Sequence, residues 1–224
     1  MSLAVSPDRS VVDDLRDRID RMQGRPSVLT LPTHSSLSGL LALQPGSSYA
    51  VDATSLALLL LSGPSAEGAW CAVVGSDRIG LEAAAEFGVD LDRTVWVPDA
   101  GADPASVVGA LVDAVGVVMV DRIGLSERDA VRLRARLQRQ QSVLVAVGDW
   151  PRVEARLRLR DVVWTGPQAG HGHLVARQAT VEVERGGRVV GSRRLWLPAP
   201  ELQVRPVGDP AGLHERIQPV REVG

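Results

Sequence analysis

Lysine is absent from this chain. All 25 basic side chains are arginine, so any mechanism that needs a lysine is excluded. Cysteine occurs once, as Cys71. That excludes an intrachain disulfide and a cysteine-rich zinc site. Within the apolar run AWCAVV, Cys71 reads as a small buried hydrophobe. The longest apolar run, LALLLL, is too short to span a bilayer. The opening MSLAVSPDRS lacks the basic start and apolar stretch of a signal peptide. A cytoplasmic location and no membrane partner are therefore expected. No G-x-S-x-G elbow occurs, so a hydrolase triad has little support. Two histidines in GHGH at 170–173 are too few for a metal site, and the glycines around them read as a tight turn.

What is present is enough apolar material for a sizeable core. The chain has 224 residues, 45 % of them hydrophobic, which suits one or two folded domains. Its near-neutral charge hides an asymmetry. Residues 27–121 carry 2 arginines and 11 acids, net −9, whereas residues 122–160 carry 10 arginines and 4 acids, net +6. A basic block of that kind suits nucleic acid or an acidic partner.

Periodicity divides the chain into three parts. Residues 1–26 hold an amphipathic helix at 8–23, with Val11, Leu15, Ile19 and Met22 on one stripe and Ser10 as its N-cap. Residues 27–197 form the core. There, the short apolar runs SYAVDA, AWCAVVG, TVWVP, VGVVMVD and SVLVAVG alternate with helical segments at 54–62, 80–87, 104–114 and 126–141. That rhythm predicts an α/β fold with a mostly parallel sheet flanked by helices. After residue 150 the runs alternate apolar with polar, and RGGR at 185–188 signals a hairpin, so an antiparallel extension of the sheet is expected. Residues 198–224, with five prolines, read as an extended tail whose LQVRPV stretch would add a strand to a partner or wrap it.

The candidate sites are near misses. A phosphate-binding loop needs G-x-x-x-x-G-K-[ST] between strand and helix, because wrapped backbone N–H groups, a lysine and a hydroxyl each meet the phosphates or their metal. At that place the chain reads VDATSL, which has no glycine and is too short to encircle a phosphate. Gly75 and Gly80 have the right spacing, but Leu81 and Glu82 follow them instead of Lys and Ser or Thr. Asp121 ends an apolar strand, as a magnesium-holding aspartate does in nucleotidases. The helix SERDAVRLRARLQRQQ has Ser126 and Asp129 as a capping pair and Ala130, Leu133 and Leu137 as its buried stripe. Arg128, Arg132, Arg136 and Arg139 share another face, either as contacts to DNA or an acidic partner or as a solvated face. Arg156, Arg158 and Arg160 pose the same choice. Among the five tryptophans, Trp150 and Trp196 are the candidate exposed anchors for a partner, with Leu202 and Val204 in the tail beside them.

The run from WCAVVGSDRIG through PDAG to VVMVD resembles the core of the RecA recombinase family, over roughly 45–197. The resemblance implies that Asp77 stands where that family has its catalytic glutamate, one methylene shorter. It also implies that Asp121 stands at the magnesium aspartate. The family's two DNA-binding loops correspond to the short stretches DRIGLS and GDWPR. GAWCAVVG, WTGPQAGHGHLVAR and RRLWLP are similar to a narrower group, the RecA-like mutasome accessory proteins of the ImuA type, actinobacterial branch. That resemblance implies a non-enzymatic adaptor without cofactor, its Asp77 and Asp121 vestigial. Its implied role is error-prone translesion synthesis in DNA damage tolerance. Its implied partners are a catalytically inactive Y-family polymerase relative and, indirectly, an error-prone C-family polymerase. An ATP-independent DNA-binding module and a weak nucleotidase are the alternatives.

Overall fold

The valine-rich runs form strands because β-branched side chains fit a pleated surface covered on both faces. In the structure, a computed structural model, residues 30–76, 79–166 and 174–208 are described. The expected helix at 8–23, the GHGH turn and Asp77 lie outside them. The strands are β1 (Ser48–Val51), β2 (Cys71–Val74), β3 (Thr94–Val97), β4 (Val117–Asp121), β5 (Val143–Val147), β6 (Ala155–Thr165), β7 (Ala176–Arg185), β8 (Arg188–Trp196) and β9 (Arg205–Pro206). They make one sheet in the order β3-β2-β4-β5-β1-β6-β7-β8-β9. From β3 to β6 all neighbours are parallel; from β6 onward they are antiparallel. This is the expected α/β class with its antiparallel extension.

Alternate residues of each strand enter opposite cores. Tyr49, Val51, Val73, Met119 and Val145 face one cluster, which holds the helix α1 (Thr54–Ala66). Ala50, Val74, Val118 and Leu144 face the other, with α3 (Pro104–Ala114) and α4 (Glu127–Gln140). The short helix α2 (Leu81–Glu86) adds Ala84 to the first cluster. In α4 the capping box of Ser126 and Asp129 forms, and Ala130, Leu133 and Leu137 are its buried residues, as the helical period predicts.

Three features depart from the sequence reading. First, α1 runs to Ala66, past the expected end at residue 62, with Pro64 inside its last turn. The helix is buried along nearly its whole length, and that packing overrides the local stop signal. Second, residues 31–43 have no helical or strand period, yet Leu37, Leu41 and Leu43 are fully or almost fully buried. This irregular segment covers the inner face of the antiparallel extension: Arg193 donates to the Ser36 carbonyl at 2.8 Å. Third, the start of the supposed tail is part of the core. Ala199 is fully buried and Val204 is 8 % exposed. The Ser36 hydroxyl donates to the Val204 carbonyl at 3.1 Å, and Arg205–Pro206 pairs with the chain's own β8. The RPV part of LQVRPV thus adds its strand to this sheet rather than to a partner.

His34 caps the 3-10 turn Ser35–Leu37 by accepting the Ser36 N–H on Nδ1. Burial pushes its imidazole below the ordinary value. The folded state resists the proton that the unfolded chain takes up below about pH 6.5. This contribution is therefore fully present above that pH and is lost as pH falls toward the lowered folded value. Urea midpoints measured from pH 7.5 to 5 should fall, and His34→Asn, which keeps an acceptor for Ser36, should flatten part of that fall.

Candidate functional site

The carboxyl ends of parallel strands are where α/β sheets gather ligands. Here, β1 passes into α1 through Asp52 and Ala53 alone. Asp52 turns its carboxylate across to β6, where Oδ1 and Oδ2 accept the Leu159 N–H at 3.0 and 3.3 Å. The Arg160 guanidinium lies 3.7 Å from Oδ2. The backbone is committed too: the Asp52 N–H donates to the Leu157 carbonyl. The two-residue turn forms a direct clamp between β1 and β6.

A cation fills the other side of the same turn. Arg177, on β7, donates to the Ser55 hydroxyl at 2.9 Å and to the Leu197 carbonyl at 2.6 Å. Its guanidinium stacks over the Trp164 ring, 5.1 Å from the centroid. Partial burial lowers its pKa from the ordinary value. Sequence reasoning missed this pair of roles. The Asp52 carboxylate at the strand end was a visible signal, whereas Arg177 is 122 residues away from Ser55 in the chain and carries no local sign.

Asp121 sits at the end of β4, beside β2, as expected. Its Oδ1 is buried without a hydrogen-bond partner among the described residues, and so is the hydroxyl of Ser76 beyond β2. The Arg122 Nε is 3.8 Å from that oxygen. Gly75 is required there: its φ is +80°, and an added Cβ would run into Ile123 and come within 2.9 Å of the Asp121 carbonyl. No group of three or more metal-ligating side chains occurs among the described residues.

The basic block does not form a uniformly basic surface. Arg136 pairs with Asp113 at 3.5 Å. The groove between α3 and α4, about 480 Å³, brings Asp103, Asp113 and Asp129 against Arg132 and Arg136. Hydrogen bonds from Ser106 and Ser126 hold the carboxyls of Asp103 and Asp129 below the usual carboxylate range, so both stay charged. Arg128, Arg132 and Arg139 are exposed, with no carboxylate partner among the described residues. Arg156, Arg158 and Arg160 each face an acid instead: Asp149 at 3.2 Å, Glu184 at 2.8 Å and Glu182 at 3.6 Å. Pairing with β7 at Arg158 and Arg160, and with the Asp149 loop at Arg156, neutralises the basic half of β6.

The partner-contact residues separate. Trp150 is not an exposed anchor: it is 9 % exposed and packs in the second core with Ala50 and Ala130. The connection from β5 to β6 explains why. Seven residues, 148–154, make a parallel crossover that ordinarily takes a dozen or more and a helix. The Trp150 indole fills the space the missing helix leaves. Val204 is likewise buried. Trp196 is half-buried, with Arg205 stacked 5.8 Å from its centroid, and Leu202 is 48 % exposed. Only these two keep the accessibility a docking role needs.

Comparison with known proteins identifies a family and a relative. The family model of the MT3502 N-terminal domain matches residues 37–152, the stretch from the 3-10 turn through all five strands β1–β5 and the loop after them. The uncharacterized protein Rv3395c of Mycobacterium tuberculosis is 38 % identical over 130 residues, 55 % of this chain. The match spans 62 % of that relative's length. Among the described residues no helix is long and apolar enough to cross a membrane.

Proposed function

Since the chain belongs to the MT3502 N-terminal domain family, we propose on that footing that it is a non-enzymatic adaptor with a RecA-like core, acting in DNA damage tolerance. In this reading it binds a catalytically inactive Y-family polymerase relative and, through it, supports an error-prone C-family polymerase in translesion synthesis. It needs no cofactor and works in the cytoplasm. The observation that carries the reading is the Asp52 carboxylate, clamped to Leu159 where a phosphate loop would open. A chain without lysine also lacks the cation that a phosphate loop turns toward its ligand. The sequence resemblance supports the RecA-like assignment, and the mostly parallel sheet with its antiparallel extension agrees with the fold it implies. Trp196 and Leu202 are the partner contacts this reading retains.

The test is affinity purification of the tagged full chain from DNA-damaged cells of its source, with mass spectrometry of what it retains. Recovery of a Y-family polymerase relative is expected, with loss of that protein in the Trp196→Ala, Leu202→Ala double variant. A second variant, truncated after Gly208, removes the end of the tail without touching the buried Ala199 and Val204. Recovery of no polymerase-related protein overturns the reading.

One observation favours a second reading, a weak nucleotidase using Asp77 and Asp121: the orphaned Asp121 oxygen is what a metal-bound water would satisfy. Magnesium-dependent ATP turnover abolished by Asp121→Ala would establish it. The DNA-binding alternative rests on Arg128, Arg132 and Arg139, and the acids of the groove that Arg132 lines oppose it.

A further inference from the structure

Strand β6 runs on past the end of β1. The two pair only as far as Leu157, and the Asp52 carboxylate takes the Leu159 N–H. From there β7 is its one neighbour among the described strands. A register shift between Arg160 and Val163, with Asp161 at φ +49°, marks the break, as a bulge bends a strand. Burial alternates from Ala155 to Arg158, whereas every residue from Arg160 to Thr165 is exposed. Both faces of β6 are therefore open in this arm.

The arm is apolar, with one fixed cation and no anion. Val162, Val163 and Trp164 follow one another on β6, and Leu174 and Val175 lead into β7; the five are between 44 % and 58 % exposed. The Val175 N–H donates to the Thr165 carbonyl at 2.9 Å, which holds the two groups side by side. Single exposed apolar side chains are ordinary, but a contiguous group marks an interaction site. Residues 162–181 contain Arg177 and no Asp or Glu. Arg177 is half-buried and stands opposite Trp164 in the register. Its described hydrogen-bond acceptors, the Ser55 hydroxyl and the Leu197 carbonyl, are both neutral. No carboxylate of the described residues pairs with it. A guanidinium offers five N–H donors, and withdrawing its charge from water without a counter-charge costs free energy.

We propose that this arm, residues 162–165 and 174–178, docks an apolar segment of a partner protein that carries a carboxylate. The segment's apolar side chains cover Val162, Val163, Trp164, Leu174 and Val175, and its carboxylate meets Arg177. Charge complementarity selects this occupant. A two-fold pairing of arms from two copies would cover the apolar side chains but bring no acid, since 162–181 has none, and would add a second Arg177. DNA would meet a single fixed cation in the arm, whereas binding to phosphates draws on several. The inference goes beyond the adaptor reading and does not rest on it, because it follows from the arm alone.

The test uses the full chain and a fluorescein-labelled peptide of leucines and serines around one central glutamate, with glutamine in its place as control. Fluorescence anisotropy should show the glutamate peptide bound about tenfold more tightly, the range of one hydrogen bond to a charged group. Oxidation of Trp164 by N-bromosuccinimide, located by mass spectrometry, should slow when that peptide binds. Arg177→Gln can still donate to Ser55 or Leu197 and should bind both peptides alike. The Val163→Ser, Leu174→Ser variant changes exposed positions, so it should keep its circular dichroism and bind both peptides about tenfold more weakly. No binding, or equal binding of both peptides by the native chain, overturns the proposal. So does a glutamate preference that survives in Arg177→Gln. A dimer in sedimentation that is lost in the Val163→Ser, Leu174→Ser variant overturns it as well, since a second copy then holds the arm. Cosedimentation with phosphatidylcholine vesicles does the same, since the arm then enters a lipid surface.

Discussion

Replacing Trp150 with alanine is expected to cost about 3–5 kcal/mol of stability, the range for removing a buried tryptophan. A typical domain holds only about 5–15 kcal/mol, so the variant should be unfolded or close to it at 37 °C. The indole stands in for a crossover helix, and the short loop around it has no other large apolar group that could collapse into the space. Urea unfolding followed by circular dichroism measures the loss. Trp150→Phe should cost less, because it keeps most of the filled volume. A loss below about 0.5 kcal/mol, in the range of a surface change, would show that the side chain is not in the core. The distinction bears on function as well. Any partner-binding defect of Trp150→Ala should track unfolding, whereas one in the Trp196 and Leu202 variant should appear in a folded protein.

Gly63→Ala is expected to destabilise the protein by about 1–3 kcal/mol through overpacking, although alanine is the better helix former by about 1 kcal/mol. The added Cβ would stand 2.5 Å from the Thr33 carbonyl carbon and 2.6 Å from its Cα. These are backbone atoms of the irregular segment at 31–43, which the Arg193 and Ser36 hydrogen bonds pin to β8 and to the residue before β9. They cannot swing aside as a side chain can. Gly109→Ala in α3 is the contrast: its Cβ would meet the end of the flexible Arg136 side chain. That variant should be near neutral or slightly stabilised. Thermal melts of the two, run together, separate a backbone clash from helix propensity. A stabilised Gly63→Ala would mean that 31–43 yields.

The parallel sheet was legible in the chain because a strand buried on both faces must be apolar throughout. VVMV and VLVAV satisfy that with no help from elsewhere. The buried stripe of α4 was legible for the same kind of reason: Ala130, Leu133 and Leu137 recur at the helical period. The missing phosphate loop was legible too, since VDATSL lacks glycine and the chain lacks lysine altogether. Those are local facts, and local sequence determines them.

What each polar or aromatic side chain does depends on its neighbours. Arg158 and Arg160 look like a basic patch in the sequence, but the β6–β7 register puts Glu184 and Glu182 beside them. Trp150 looks like an exposed anchor, but a seven-residue crossover draws it into the core. Val204 looks like tail, but the Ser36 hydroxyl ties its carbonyl to the folded body. The hydrophobic period of a segment is written within that segment and so determines strand, helix and core by itself. Charge neutralisation and the clamp of Asp52 on Leu159 each require two segments far apart in sequence to meet, and only the tertiary structure decides which ones do.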